Sequence, residues 1–133
     1  MSLTLKNMAI KAGKELKITG VPKPDALGFA INIGHEEDNI AFHFNPRFNQ
    51  HGDHHLIVFN SRQGGSWCKE HREHHFPFEH GEEFKVSITF NNDEFEVKLP
   101  NGHSVNFPNR FGDDKYMFLQ VEGDVRITGF KLK

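Results

Sequence analysis

"VSITFNNDEFEVKLPNGHSVNF" (residues 86–107) carries three bursts of alternating polar and apolar residues, divided by "NND" and "PNG". Period-two alternation sends successive side chains to opposite faces of an extended chain, so Val86, Ile88 and Phe90 share one face, with Phe84 continuing the row. Asn, Asp, Pro and Gly at the two breaks supply tight turns. The stretch predicts a meander of three antiparallel strands with one face buried.

The same grammar holds on either side. Strand-like alternation is read at residues 2–6, 14–20, 27–34, 40–47, 55–60, 66–73, 83–90, 94–99, 103–107, 115–121 and 125–132. The segments between them, such as "FNQHGD", "SRQGG", "FEHGEE" and "FPNRFGDD", are turn-rich. No long segment has the helical period of 3.6 with matching caps. Many short strands joined by tight turns imply an all-β fold of two packed antiparallel sheets, a sandwich or jelly roll. With 133 residues and no stretch that reads as a linker, residues 1–133 are expected to form one domain. Such a chain buries roughly 65–70% of its unfolded surface, enough for a core without staples. That core is phenylalanine-rich, with 14 Phe against one Trp and one Tyr.

Charge excludes several function classes. The net charge of −2, with both signs interspersed, gives no electrostatic footprint for nucleic acid or an anionic membrane. Apolar runs are far too short to span a bilayer, and "MSLTLKNMAIKAGKEL" has no signal-peptide core. The lone cysteine, Cys68, cannot form an internal disulfide, so synthesis in a reducing compartment is expected.

Chemistry concentrates in "HFNPRFNQH" (43–51). With Phe42, Phe44 and Pro46 turned to the core, His43, Asn45 and Arg47 emerge together on the other face. Solvated faces usually carry Lys, Glu and Thr; these three are planar groups with fixed donor and acceptor directions, suited to hydroxyls of fixed stereochemistry. In "HLIVFNS", Ile57 and Phe59 point inward, and Asn60 extends the polar surface. In "SWCKEHREHHF", a regular strand would set Trp67 opposite Glu70 and Arg72. A bulge or kink between Trp67 and Glu70 is predicted instead, bringing all three to one face. Alternation then turns the Cys68 thiol away from Trp67 into a packed or half-packed position.

"HFNPRF" with His51, "NS" at 60–61, Trp67 and "ExR" at 70–72 together resemble the carbohydrate-recognition signature of the galectins. "FPFEHGEEF", "VKLPNGHSVNFPNR" and "GDVRITGFKLK" extend the resemblance over essentially the whole chain. It implies a jelly-roll β-sandwich of the galectin and concanavalin type that binds β-galactosides in a groove across one sheet, with no cofactor. By this resemblance His43, Asn45 and Arg47 grip the axial 4-hydroxyl of galactose, and Asn60 and Glu70 take the 6-hydroxyl. Trp67 stacks on the ring, Glu70 and Arg47 reach the second sugar, Arg72 supports that end, His51 borders the groove, and Asp53 orients an arginine. Glu70 between Arg47 and Arg72 would be a fixed, charge-assisted acceptor. Affinity for one disaccharide is expected between about millimolar and micromolar. Loss of the His43 acceptor on protonation would weaken binding below about pH 6.

Two other functions draw on the same residues. "HGDHH" (51–55) and "HREHH" (71–75) share an H-x-x-H-H spacing that can hold zinc or copper, but neighbouring residues on a strand face opposite ways, so no metal site is expected. A glycosidase needs two carboxylates flanking the bond, one with a raised pKa. Glu70 and Glu73 have opposite parity and flanking arginines lower rather than raise a carboxyl pKa, so no enzyme is expected. A galectin-like scaffold that acts through protein contacts with weak or lost sugar binding is the remaining alternative. The resemblance further implies partners that are β-galactoside-bearing glycoproteins and glycolipids, and a homodimer pairing "SLTLKN" (2–7) and "VRITGFKLK" (125–133) across a two-fold axis. It also implies a cytoplasmic and extracellular location reached without a signal peptide.

Overall fold

In the computed structural model, which describes residues 2–133, the expected meander is present. The strands are β1 (Ser2–Lys11), β2 (Leu16–Pro22), β3 (Phe29–Glu36), β4 (Asn39–Gln50), β5 (Asp53–Gln63), β6 (Ser66–Trp67), β7 (His71–Glu73), β8 (Phe84–Phe90), β9 (Glu94–Lys98), β10 (Ser104–Pro108), β11 (Lys115–Gly123) and β12 (Val125–Leu132). β8, β9 and β10 pair antiparallel with Ile88 opposite Val97 and Phe90 opposite Phe95, and with Val105 opposite Val97 and Phe107 opposite Phe95. These apolar partners are buried, so the alternation reports burial of one face.

Two sheets form. One runs β1-β11-β3-β4-β5-β6, with β7 also paired to β5; the other runs β10-β9-β8-β2-β12. Their inner faces meet in an aromatic core. Phe42 on the first sheet stacks on Phe95 of the second at 4.8 Å and also touches Phe44, Phe59 and Phe107. Each fully buried Phe contributes about 1.5–3 kcal/mol through apolar burial. Phe42, Phe44 and Phe59 are all 0% exposed, so the strands that display the polar row are anchored from behind by rigid packing.

The expected boundaries change where tertiary packing extends a strand. β4 continues to Gln50 and β5 begins at Asp53, because Phe48 is buried and the reversal needs only two residues, His51 (φ 53°) and Gly52 (φ 82°). Positive φ at both central positions is the signature of the mirror-image turn that matches strand twist. β1 runs on to Lys11 through an irregularity between Lys6 and Ile10, where Asn7 has φ 64°. The segment read as one strand over 66–73 is two pieces, β6 and β7, and the break falls between Trp67 and Glu70 as expected.

Candidate functional site

The polar row from β4 lies on the outer face of the larger sheet and floors a groove of about 820 Å³. His43, Asn45, Arg47, His51 and Asp53 line it from the β4–β5 hairpin; Asn60, Trp67, Glu70 and Arg72 line it from β5 to β7. All nine residues singled out in the sequence therefore share one surface. The floor beneath them is dry: His43, Asn45 and Asn60 are nearly buried, and Val58 between them is 1% exposed.

Trp67 is the opposite case. Half of its surface is exposed, and its indole stands beside the His43 ring at 4.5 Å, with the Arg62 guanidinium 5.3 Å from its centroid. A core role for this aromatic is excluded. An exposed indole held between an imidazole and a guanidinium is a preformed apolar wall.

The break after Trp67 has a physical cause in carbonyls satisfied by side chains rather than by a neighbouring strand. Asn60 donates through Nδ2 to the Cys68 carbonyl at 3.1 Å, and Arg110 donates through Nη2 to the Lys69 carbonyl at 2.8 Å. Arg110 also donates to Ser61 Oγ at 2.9 Å and Asn60 Oδ1 at 3.3 Å, while its guanidinium covers the Phe107 ring at 4.8 Å. The irregular backbone that aims Trp67, Glu70 and Arg72 the same way is thus pinned from "PNR". The Cys68 expectation fails here. With strand geometry abandoned after Trp67, the thiol is exposed and lines the same groove.

At one end of the groove the charges form a network. Arg47 donates through Nε to Asn45 Oδ1 at 2.8 Å and through Nη1 to Asp53 Oδ2 at 2.7 Å. Arg72 pairs with the other Asp53 oxygen, and its Nη1 donates to Glu70 Oε1 at 2.6 Å. The carboxylate between the two arginines is therefore Asp53, not Glu70, which among the described residues pairs with Arg72. The hairpin places Asp53 at the start of β5, directly opposite Gln50, within reach of both. Hydrogen bonds from Arg47, then Arg72, hold the Asp53 carboxyl below its usual range against the opposing effect of burial.

At the other end the innermost polar groups, His43 and Asn32, are neutral. His43 faces Asn32 across β3 and β4, with Nδ1 at 2.6 Å from Asn32 Oδ1. Burial, reinforced by the nearby charges of Arg47 and Arg62, lowers the His43 pKa to about 3. The imidazole stays neutral through mildly acid solution, so the expected loss of its acceptor near pH 6 does not follow from this geometry. Ala30, Glu122 and Gly123 continue the groove beyond His43 and Asn45, outside the set read from the sequence. Nothing near them in sequence announced this, because Glu122 meets Ala30 only through the pairing of β11 with β3.

The two H-x-x-H-H runs do not converge. His71 packs on Phe59, His55 on Phe76, and His75 on His103. Among the described residues no group of three or more His, Cys, Asp or Glu side chains could hold a metal ion.

Comparison with known proteins agrees with this geometry. The galactoside-binding lectin family matches residues 1–132. The chain belongs to the galectins. A β-galactoside-binding lectin of Electrophorus electricus is 46% identical over 95% of this chain and 93% of its own. The crystal structure of Dario rerio galectin-1-L2 superposes with a TM-score of 0.96 at 53% identity, covering 98% of this chain and 99% of the other. Congerin II in its lactose- and MES-liganded form superposes with a TM-score of 0.96 at 35% identity, over the full length of both chains. CG-16, a homodimeric agglutinin from chicken liver, matches as well, at 0.96 and 36%, over the full length of both chains. The two-sheet galectin sandwich is the fold of this protein, and its family is one of sugar-binding lectins rather than enzymes.

Proposed function

We propose that this galectin binds β-galactosides of the lactose and N-acetyllactosamine type in the groove over β4 to β7. The observation that carries the reading is an exposed Trp67 indole facing a nearly buried row of His43, Asn45 and Arg47 with fixed hydrogen-bonding directions. His43, Asn45 and Arg47 converge on the axial 4-hydroxyl, and Asn60 and Glu70 take the 6-hydroxyl. Trp67 receives the apolar face of the ring, while the Arg47–Asp53–Arg72–Glu70 network presents charge-assisted partners to the second sugar. Much of the hydrogen-bonding capacity of Asn45 is already used, since Nδ2 donates to the Phe29 carbonyl at 2.8 Å and to Gln50 Oε1 at 3.2 Å. Those bonds, with the one that Asn45 Oδ1 accepts from Arg47 Nε, fix the side chain in place.

An equatorial epimer would leave convergent dry groups unpaired, costing roughly 1–3 kcal/mol each. Several net bonds of about 0.5–1.5 kcal/mol, with one aromatic wall, must offset at least about 4 kcal/mol of immobilisation. A dissociation constant between about millimolar and micromolar results. Calorimetry with lactose, repeated on Trp67→Ala, tests the assignment; unchanged heat with the variant contradicts it.

Multivalency then supplies strength on a glycan-bearing surface. β1 and β12 each form an edge of their sheet, and Phe130 on β12 is 39% exposed, which supports a homodimer through the terminal strands. Such a dimer would cross-link glycoproteins and glycolipids, as the homodimeric state of CG-16 supports by analogy. Agglutination of glycan-coated beads that is lost on dilution below the dimer dissociation constant checks this. A cytoplasmic and extracellular distribution suits an exposed free thiol made in a reducing compartment. Fractionation of expressing cells and their medium tests that distribution.

A further inference from the structure

Behind His43 lies a row of polar side chains that the sugar-site reading does not use. Asn32 is 1% exposed and Gln120 is 8% exposed, and strand register sets the two opposite each other across β3 and β11. Asn32 Nδ2 donates to Gln120 Oε1 at 3.2 Å, and Gln120 Nε2 donates to Glu37 Oε1 at 3.4 Å. Glu37 sits in the β3–β4 turn, which is tied down by Gly65 N–H donating to the Asp38 carbonyl and by Arg62 Nη1 reaching the Glu37 carbonyl. The turn cannot drift easily at its root either. A Cβ at Gly34 would stand 2.3 Å from the Asn39 carbonyl oxygen, so β3 and β4 approach there as closely as only glycine allows.

The direction of every bond in this row follows from its outer end. An ionised carboxylate only accepts, so the amide nitrogen of Gln120 must face Glu37 and its oxygen must face Asn32. Asn32 then turns its nitrogen to Gln120 and its oxygen to His43. Asn32 Oδ1 can only accept, so His43 Nδ1 must carry the proton. We propose that Glu37, Gln120 and Asn32 are positioning residues that lock His43 in the Nδ1–H tautomer and turn the bare Nε2 lone pair into the groove. This deepens the galactoside assignment and rests on it for its consequence: the ligand atom at His43 must be a hydroxyl that donates. Ether, fluoro and deoxy substituents at that position would be refused because they have no proton to give.

In any histidine site the partner of one ring nitrogen decides what the other can do. Left without an orienting partner, a neutral imidazole would divide between two tautomers, and only one of them can accept from the sugar. Locking it removes that loss before the ligand arrives. The charged groups facing His43 are Arg47 on its own strand and Arg62 on β5, and both oppose its protonation.

Nitrogen-15 and carbon-13 NMR of the imidazole in the sugar-free protein at neutral pH tests the proposal. A protonated Nδ1 and a bare Nε2 at His43 are expected; the reverse tautomer, or fast averaging between the two, overturns it. Gln120→Leu removes the acceptor that orients Asn32, so the same spectrum should show mixed tautomers and lactose affinity should fall about three- to tenfold. Gln120→Glu still accepts from Asn32 and should restore both. An unchanged spectrum in Gln120→Leu also overturns the proposal, and if that variant fails to fold, the wild-type spectrum decides alone. Absence of lactose binding to the wild type would strike the galactoside reading instead, since the tautomer is measured without sugar.

Discussion

The two ends of the groove solve the same problem with different physics. Around His43 the innermost polar groups, His43, Asn32 and Gln120, are neutral, almost fully buried and aligned by amide hydrogen bonds across three strands. Around Asp53 they are charged, part exposed and aligned by ion pairs: Arg72 has a side-chain exposure of 40% and Glu70 of 42%, against 11% for Arg47. In a dry site an unpaired group keeps its full desolvation penalty, so in the proposed function the His43 end is where epimers would be told apart. In a wet site water substitutes for a missing partner and salt screens the charges, so in the proposed function the Asp53 end would modulate affinity without strict selection. Arg47 belongs to both ends, because its Nε holds Asn45 while its Nη1 holds Asp53.

That double membership makes Arg47→Ala the most damaging groove substitution. It frees Asn45 Oδ1 on the dry floor and takes from Asp53 one of its two arginine partners, leaving Arg72. A loss of about 3 kcal/mol, more than a hundredfold in lactose affinity, is expected by calorimetry. Trp67→Ala comes next. Removing the wall should weaken lactose about ten- to thirtyfold, with thermal stability nearly unchanged because the indole is half exposed. Asp53→Asn follows with a drop of about fivefold, and this variant should also lose most of the salt dependence that the wild type shows between low and physiological ionic strength. If Asp53→Asn instead abolishes binding at all salt concentrations, the division into dry and wet ends is wrong.

The smallest effect is the most diagnostic one. With the His43 pKa lowered to about 3, lactose affinity should stay nearly flat from pH 8 to pH 5. Fold stability should behave differently. An unfolded chain protonates this imidazole near 6.5 while the native state does not until about 3. Between those values the unfolded state binds more protons, so the His43 contribution falls as pH falls through that window. Asp53, whose carboxyl is held below its usual value of 3.8, contributes stability above that value and loses it only at more acid pH. Thermal melts and titrations across one pH series would separate the two responses; a joint fall in affinity and stability starting at pH 6.5 would tie them to a single protonation.

Much of this was legible in the sequence, and the rest was not for definable reasons. Alternation around Phe84, Val86, Ile88 and Phe90 announced the meander because a half-buried strand must repeat every two residues. The break after Trp67 could be inferred because one surface had to hold Trp67, Glu70 and Arg72 at incompatible parity. The same inference misplaced Cys68, since alternation ceases to apply inside the break it predicts. Asn32, Gln120 and Arg110 stayed invisible as functional neighbours. Asn32 and Gln120 meet through strand register at a separation of 88 residues, and Arg110 reaches Ser61 from 49 residues away. Periodicity says which face a residue occupies, not which strand lies beside it. Asp53 was read as an aid to an arginine, but the hairpin length that puts it between Arg47 and Arg72 depends on the positive φ of His51 and Gly52.

The most direct measurement is a paired calorimetric titration of the wild-type protein with lactose and with cellobiose, which differ at the non-reducing ring in the axial or equatorial setting of one hydroxyl. A saturable lactose isotherm with a dissociation constant between about millimolar and micromolar, and no resolvable heat from cellobiose, is the predicted result. Equal binding of the two disaccharides would contradict the account, because a rigid dry floor around His43 could not then be what the sugar meets.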